Sequence, residues 1–163
     1  MNRQILQKDD PALHKVCHPV TKFDNKLAAL LSDLTETLKN AGGLGLAAPQ
    51  VGILRRACIV MDEDESYIEL VNPEIVSQSG EQEGFEGCLS FSGMYGMVNR
   101  PMEVTVKAQD RKGNPVEYHR TGMTARCFCH EIEHLDGHMY YEKVEGPLLT
   151  EEEVEKIMEQ QGE

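Results

Sequence analysis

The run Thr121-Gly-Met-Thr-Ala-Arg-Cys-Phe-Cys-His-Glu-Ile-Glu-His-Leu-Asp-Gly137 constrains this chain more than any other. It contains no proline, Thr121 or Thr124 can cap its start, and Gly137 can end it, so one helix is predicted. On a helix, His130 and His134 stand one turn apart on the same face, and both imidazoles can reach a single metal ion. Glu131 lies beside them, offset by one residue. Its carboxylate can meet a water on that ion without taking a coordination position. Two nitrogen donors and a general base thus share one rigid rod.

A catalytic metal site of this type needs a third protein ligand and an open position. The extension H-E-x-x-H-x-x-G-x-x-H fails here, because Gly137 is present but position 140 is Tyr. The glutamates beyond that point sit in what reads as a solvated terminal helix, so the third ligand is expected upstream.

With 163 residues the chain suits one domain, 1–163, with a sizeable core. Lys and Arg number 16 against 28 Asp and Glu, a formal charge of −12. That balance argues against autonomous binding to nucleic acid or to an anionic membrane. No apolar run approaches membrane-span length, and Met-Asn-Arg-Gln-Ile-Leu at the start does not read as a signal or transit peptide. Five cysteines, an odd number without secretory context, are expected as reduced thiols in a cytoplasmic protein.

Residues 1–23 read as a loop-rich segment. His14 and the Cys17-His18 pair match no metal spacing and are taken as structural or incidental. Asp24 caps an amphipathic helix with Leu27, Leu30, Leu31, Leu34 and Leu38 on one face, and Gly42 or Gly43 stops it. In the following Gly42–Gly52 stretch, Gly43, Gly45 and Ala48 formally fit a dinucleotide fingerprint. The stretch follows a helix rather than a strand, and Pro49 prevents a phosphate-binding helix from opening there. Small residues in series instead admit another backbone or a ligand, and Gln50 offers an amide donor.

Strands are expected at 56–61, 67–71 and 74–79. The acidic loop 62–66 resembles an EF-hand start, but Tyr67 and Pro73 occupy the positions that need Gly and Glu, so it is read as a hairpin loop. Residues 80–90 are rich in glycine and charge around one thiol, Cys88, the best upstream candidate for the third ligand. Cys127 and Cys129 are expected to pack. Alternation over 103–108 and 116–120 predicts a hairpin. Residues 91–97 are read as a loop. Thr150 and Glu153 form a capping box before an acidic terminal helix carrying Val154, Ile157 and Met158.

Taken in order, Gly43-Leu-Gly-Leu-Ala-Ala-Pro-Gln50, Glu86-Gly-Cys-Leu-Ser90 and His130-Glu-Ile-Glu-His134-Leu-Asp-Gly137 closely resemble the three signature motifs of peptide deformylases. The resemblance spans essentially the whole chain. It implies an α+β fold with mostly antiparallel β-sheets around a central helix bearing the two histidines, and an N-terminal and a C-terminal helix outside. It implies removal of the formyl group from the N-terminal formylmethionine of nascent polypeptides, releasing formate. It assigns metal binding to Cys88, His130 and His134, and general acid and base chemistry to Glu131. Gln50 and the Leu89 N–H match the oxyanion donors, and Gly43, Leu44 and Gly45 match the strand that pairs with substrate. One divalent metal ion is implied, commonly Fe²⁺, with Zn²⁺, Ni²⁺ or Co²⁺ able to occupy the site. Transient contact with the ribosome follows from the substrate, although the acidic C-terminal helix matches an RNA surface poorly.

The chain departs from many members of that family at Cys129, Glu133 and Phe91-Ser92, where Gln, Asp and Pro are common. Glu133 is expected to form an ion pair with Arg100 or Arg126. Two further readings keep the histidine helix. A metallopeptidase would need a His or Glu as third ligand, and a non-catalytic metal-stabilised binding module would need Cys127 or Cys129 as a fourth.

Overall fold

A computed structural model describes residues 1–162; Glu163, the last residue of the expected unit, lies outside the described residues. Helix α1 (Asn25–Ala41) starts where the Asp24 carboxylate accepts the Leu27 N–H at 3.0 Å, and it ends at Gly42 with φ +79°. Its five predicted leucines are all at most 2 % exposed. Fully burying each stabilises the fold by roughly 1.5–3 kcal/mol.

The strands are β1 (Gly45–Ala47), β2 (Ala57–Met61), β3 (Tyr67–Ser79), β4 (Gln82–Cys88), β5 (Phe91–Arg100), β6 (Glu103–Gln109), β7 (Pro115–Thr121) and β8 (Glu145–Thr150). Two further helices are α2 (Gly122–Leu135) and α3 (Glu151–Gln161). The strands form a five-stranded antiparallel sheet, β1-β2-β3-β6-β7, and a three-stranded one, β4-β5-β8.

Strand β2 shows why the five-stranded sheet carries a helix on each face. Successive strand side chains point to opposite faces. Ala57 and Ile59 accordingly join the leucines of α1, whereas Cys58 and Val60 join Ala125, Phe128 and Ile132 of α2. Buried on both sides, β2 reads as a continuous apolar run rather than an alternating one. Helix α2 thus has the large sheet on one flank. On another flank, Arg126 reaches the small sheet and donates to the Val98 carbonyl at 3.0 Å.

The ends of α2 are fixed locally. Thr121 occupies the N-cap position without a side-chain cap bond, and Gly137 adopts φ +82° just past the C-cap. The Cys17 N–H donates to the Leu135 carbonyl at 2.9 Å, and Arg56 Nη1 donates to Asp136 at 2.8 Å. The N-terminal segment therefore closes the helix end, and the Cys17 side chain is buried in the core beside Leu135.

Three segments differ from expectation. The strands expected at 67–71 and 74–79 are one strand, β3, with a register shift between Val71 and Glu74. Asn72 sits there at φ +50°, and its amide oxygen accepts the Val20 N–H at 2.8 Å. Residues 91–97, read as a loop, belong to β5, and residues 145–150 form β8, which no local pattern announced. Gly93 and Gly96 lower strand propensity in β5. At Gly96 a Cβ would overlap the Val144 side chain, so the glycine serves a tertiary contact.

Candidate metal centre

Cys88 ends β4, where the chain turns through Leu89-Ser90 and returns as β5, with Cys88 opposite Phe91. That turn delivers the sulfur to the middle of α2. Donor atoms of Cys88, His130 and His134 all lie within 4.8 Å of one another, and Cys88 Sγ is 3.4 Å from His134 Nε2. The structure thus brings together all three residues expected as metal ligands. Neither Cys127 nor Cys129 joins them; burial pushes their thiols up to about 12 and about 11. His14, Cys17 and His18 are likewise absent from the group.

The donor set fits a divalent ion. His130 Nδ1 is 2.9 Å from Glu86 Oε1, which assigns the proton to Nδ1 and turns the other ring nitrogen toward the cysteine. Burial opposes a charged His130, but Glu131, then Cys88 and Glu86, pull it well above its ordinary pKa. Burial, then His130, lowers His134 and keeps its imidazole neutral, the form that binds metal. One thiolate and two imidazoles suit soft or borderline ions.

Glu86 was not singled out in the sequence. Its side chain is 4 % exposed and is gripped by Arg100 Nε at 2.8 Å, Arg100 Nη2 at 2.9 Å and Arg126 Nη1 at 2.7 Å. Burial alone would raise its carboxyl, but the hydrogen bonds from Arg100 and His130 overcome that and hold it well below the usual carboxylate range. The available signal was chemical: a metal-binding histidine commonly donates its second N–H to a carboxylate, and Glu86 shares a motif with Cys88. Tyr140 is the second residue missed. It is 1 % exposed and its ring stacks on His130, with centroids 5.9 Å apart and planes at 21°. Of the two partners expected for Glu133, Arg100 is the one found, at 2.7 Å; Arg126 serves Glu86 instead.

Glu131 is 4 % exposed, and its Oε1 has no hydrogen-bond partner among the described residues. Burial raises its carboxyl to about 7, where it can both accept and return a proton near neutral pH. A Cβ on Gly45 would overlap this carboxylate, so only glycine lets β1 pass so close. Gln50 is 1 % exposed and clamped: its Oε1 accepts the Ala47 N–H at 2.9 Å, and its Nε2 lies 3.5 Å from Cys88 Sγ and 3.1 Å from Ser90 Oγ.

A cavity of about 490 Å³ opens in front of these groups, lined by Gly43, Leu44, Gly45, Leu89, His130 and Glu131, with Phe85 and Met123 among its apolar walls. Strand β1 is an edge of its sheet. The Met61 N–H donates to the Leu44 carbonyl at 2.9 Å, making 44 and 61 a hydrogen-bonded pair. In antiparallel alternation the next residue, Gly45, turns its N–H and C=O away from β2 to the open edge.

An α+β fold that sets two imidazoles from an H-E-x-x-H helix and one strand sulfur beside a buried carboxylate defines the class of metal-dependent hydrolases. The family model for polypeptide deformylase matches residues 2–148. The chain is 49 % identical over 146 residues to a peptide deformylase of Agathobacter rectalis, covering 90 % of this chain and 92 % of that one. It is 48 % identical over 154 residues to a peptide deformylase of Caldicellulosiruptor bescii, covering 94 % and 92 %. The crystal structure of a peptide deformylase from Legionella pneumophila superposes with a TM-score of 0.85 at 42 % identity, covering 89 % of this chain and 87 % of that one. That from Thermotoga maritima gives 0.86 at 35 % identity, covering 90 % and 99 %. The chain belongs to the polypeptide deformylase family, and it is an enzyme, a hydrolase.

Proposed function

We propose that residues 1–163 act as one catalytic unit that hydrolyses the formyl amide of N-formylmethionyl peptides at the start of nascent polypeptides. The observation that carries this reading is the convergence of Cys88, His130 and His134 donor atoms within 4.8 Å beside the buried Glu131. Cys88, His130 and His134 hold one divalent ion, Fe²⁺ in the cell, with Zn²⁺, Ni²⁺ or Co²⁺ able to replace it. When bound, that ion supplies Lewis acidity, which polarises the formyl carbonyl and activates water near neutral pH.

The remaining work falls to the protein. Glu131 takes a proton from the attacking water, whose oxygen bonds to the formyl carbon. As the C–N bond breaks, Glu131 returns the proton to the departing amine, leaving formate and a free N-terminus. Gln50 Nε2 and the Leu89 N–H donate to the oxyanion, each worth about 3 kcal/mol at the transition state. The outward backbone groups of Gly45 pair with an extended peptide as an added strand, flanked by Gly43 and Leu44. The apolar walls at Leu44, Phe85 and Met123 suit an unbranched thioether side chain. Ribosome contact is transient, and the acidic α3 is not its docking element. The reading places the reaction in the cytoplasm; among the described residues no helix is long and apolar enough to cross a membrane.

Formate release from formyl-Met-Ala-Ser, measured anaerobically with and without Fe²⁺, tests the assignment. Glu131→Gln should bind metal and release no formate; turnover by that variant removes Glu131 from its role, and no release by the loaded parent removes the function.

A further inference from the structure

Lys143 lies on the outer surface, its side chain 56 % exposed, yet an unbroken line of charged hydrogen bonds joins it to the histidine helix. Its Nζ is 2.5 Å from Glu133 Oε1, and Arg100 Nη1 donates to the same oxygen at 2.7 Å. The other nitrogens of Arg100, Nε and Nη2, grip the two oxygens of Glu86 at 2.8 and 2.9 Å, and Glu86 Oε1 takes His130 Nδ1 at 2.9 Å. We propose that Lys143 and Glu133 are positioning residues that fix the His130 ring for metal binding, acting through Arg100 and Glu86. The proposal rests on the assignment of Cys88, His130 and His134 as the metal ligands.

Geometry gives the line its effect. A guanidinium is planar and rigid, so the contact that holds one edge sets the plane of the other. Arg100 is 2 % exposed, and its Nε, Nη1 and Nη2 are all bonded to carboxylates, so its guanidinium is held at both edges. The place where Glu133 pins Nη1 therefore decides where Nε and Nη2 hold Glu86. Arg126 also holds Glu86, but Arg126 and His130 both ride on α2. It ties α2 to the small sheet through Glu86 and the Val98 and Gln82 carbonyls, but makes no link to the turn that carries Tyr140 and Lys143. Arg100 ends β5 and Lys143 ends the short 3-10 turn Tyr140–Lys143, so this line ties His130 to two other elements.

A second contact from the same turn points the same way. Tyr140 stacks on the His130 ring face, while its hydroxyl donates to the Met94 carbonyl at 2.9 Å. Four consecutive residues thus hold His130 by its face and, through Lys143, by its Nδ1 edge. A single oxygen of Glu133, Oε1, meets both Arg100 and Lys143. An exposed ion pair contributes little to global stability. The loss of Lys143 should therefore be felt at the metal and not in unfolding.

The test loads the protein with Co²⁺ or Zn²⁺, adds excess chelator, and follows metal loss together with the visible spectrum of the cobalt form. Partners beyond the ligands typically change metal affinity 10- to 100-fold, so Glu133→Gln is expected to speed loss about tenfold and Lys143→Ala about threefold. Lys143→Arg should restore the parental rate, and Lys143→Ala should keep the parental urea midpoint. Altered cobalt bands in Lys143→Ala support the line. Parental loss rates and spectra in both Glu133→Gln and Lys143→Ala overturn it. Should Glu133→Gln fail to fold, the Lys143 pair decides alone. A parent that takes up no stoichiometric ion refutes the three-ligand assignment itself, whereas uptake with unchanged rates refutes only this proposal.

Discussion

Replacing Glu86 by Gln removes one negative charge from a place where two guanidinium groups are held out of water. The side chains of Glu86, Arg100 and Arg126 are 4, 2 and 6 % exposed. Four hydrogen bonds end on the carboxylate, two from Arg100 and one each from Arg126 and His130. A glutamine keeps the shape but offers a single acceptor oxygen, so at least one of these N–H groups would face an amide NH₂. Removing one partner of a buried ion pair costs about 3–5 kcal/mol. Arg100 retains Glu133, and Arg126 retains the carbonyls of Val98 and Gln82, so the lower end applies, about 3 kcal/mol. Against a typical total stability of roughly 5–15 kcal/mol this is a large fraction. In a chain of this length it corresponds to a fall in Tm of about 6–12 °C. Urea unfolding of the metal-free protein, with an unchanged m-value, measures the loss free of any ligand contribution. A loss below about 1 kcal/mol would mean that the cluster behaves like an exposed pair, and the argument from burial would be refuted.

Other outcomes follow from the same geometry. Cys88→Ser should abolish tight binding of the ion, read as metal content after gel filtration; stoichiometric metal in that variant would remove the sulfur from the ligand set. Leu34→Ala, at a fully buried position of α1, should cost about 2–5 kcal/mol in chemical unfolding. Asp62 is held below its ordinary pKa by the hydrogen bond from Arg120, against the opposing effect of burial. A depressed folded value means that its contribution is whole above the unfolded pKa of about 3.9 and is lost as pH falls through the folded value. Asp62→Asn should therefore flatten the stability profile below about pH 4, and an unchanged acid limb would show that the pair contributes nothing.

Local and long-range physics divide cleanly in this protein. What the sequence determined by itself depends on neighbours a few residues apart. The four-residue step from His130 to His134 puts both on one face of any helix, Asp24 and Gly42 bound the leucine-striped α1, and Asp110–Asn114 closes the β6–β7 hairpin. Cys88 was also legible, because two histidines in want of a third donor leave few upstream candidates. The tertiary structure alone decided which arginine meets which carboxylate. Glu133 could have paired with Arg100 or Arg126, and only the approach of β5 to the back of α2 sends Arg100 to it and frees Arg126 for Glu86. Strands β5 and β8 escaped detection for a related reason. Gly96 of β5 leaves room for the Val144 side chain, and β5 pairs with β8 from a distant part of the chain, a kind of pairing that leaves no local period to read. The proposed metal ligands were written into one helix and one thiol, but the shell around them exists only once the two sheets close around that helix.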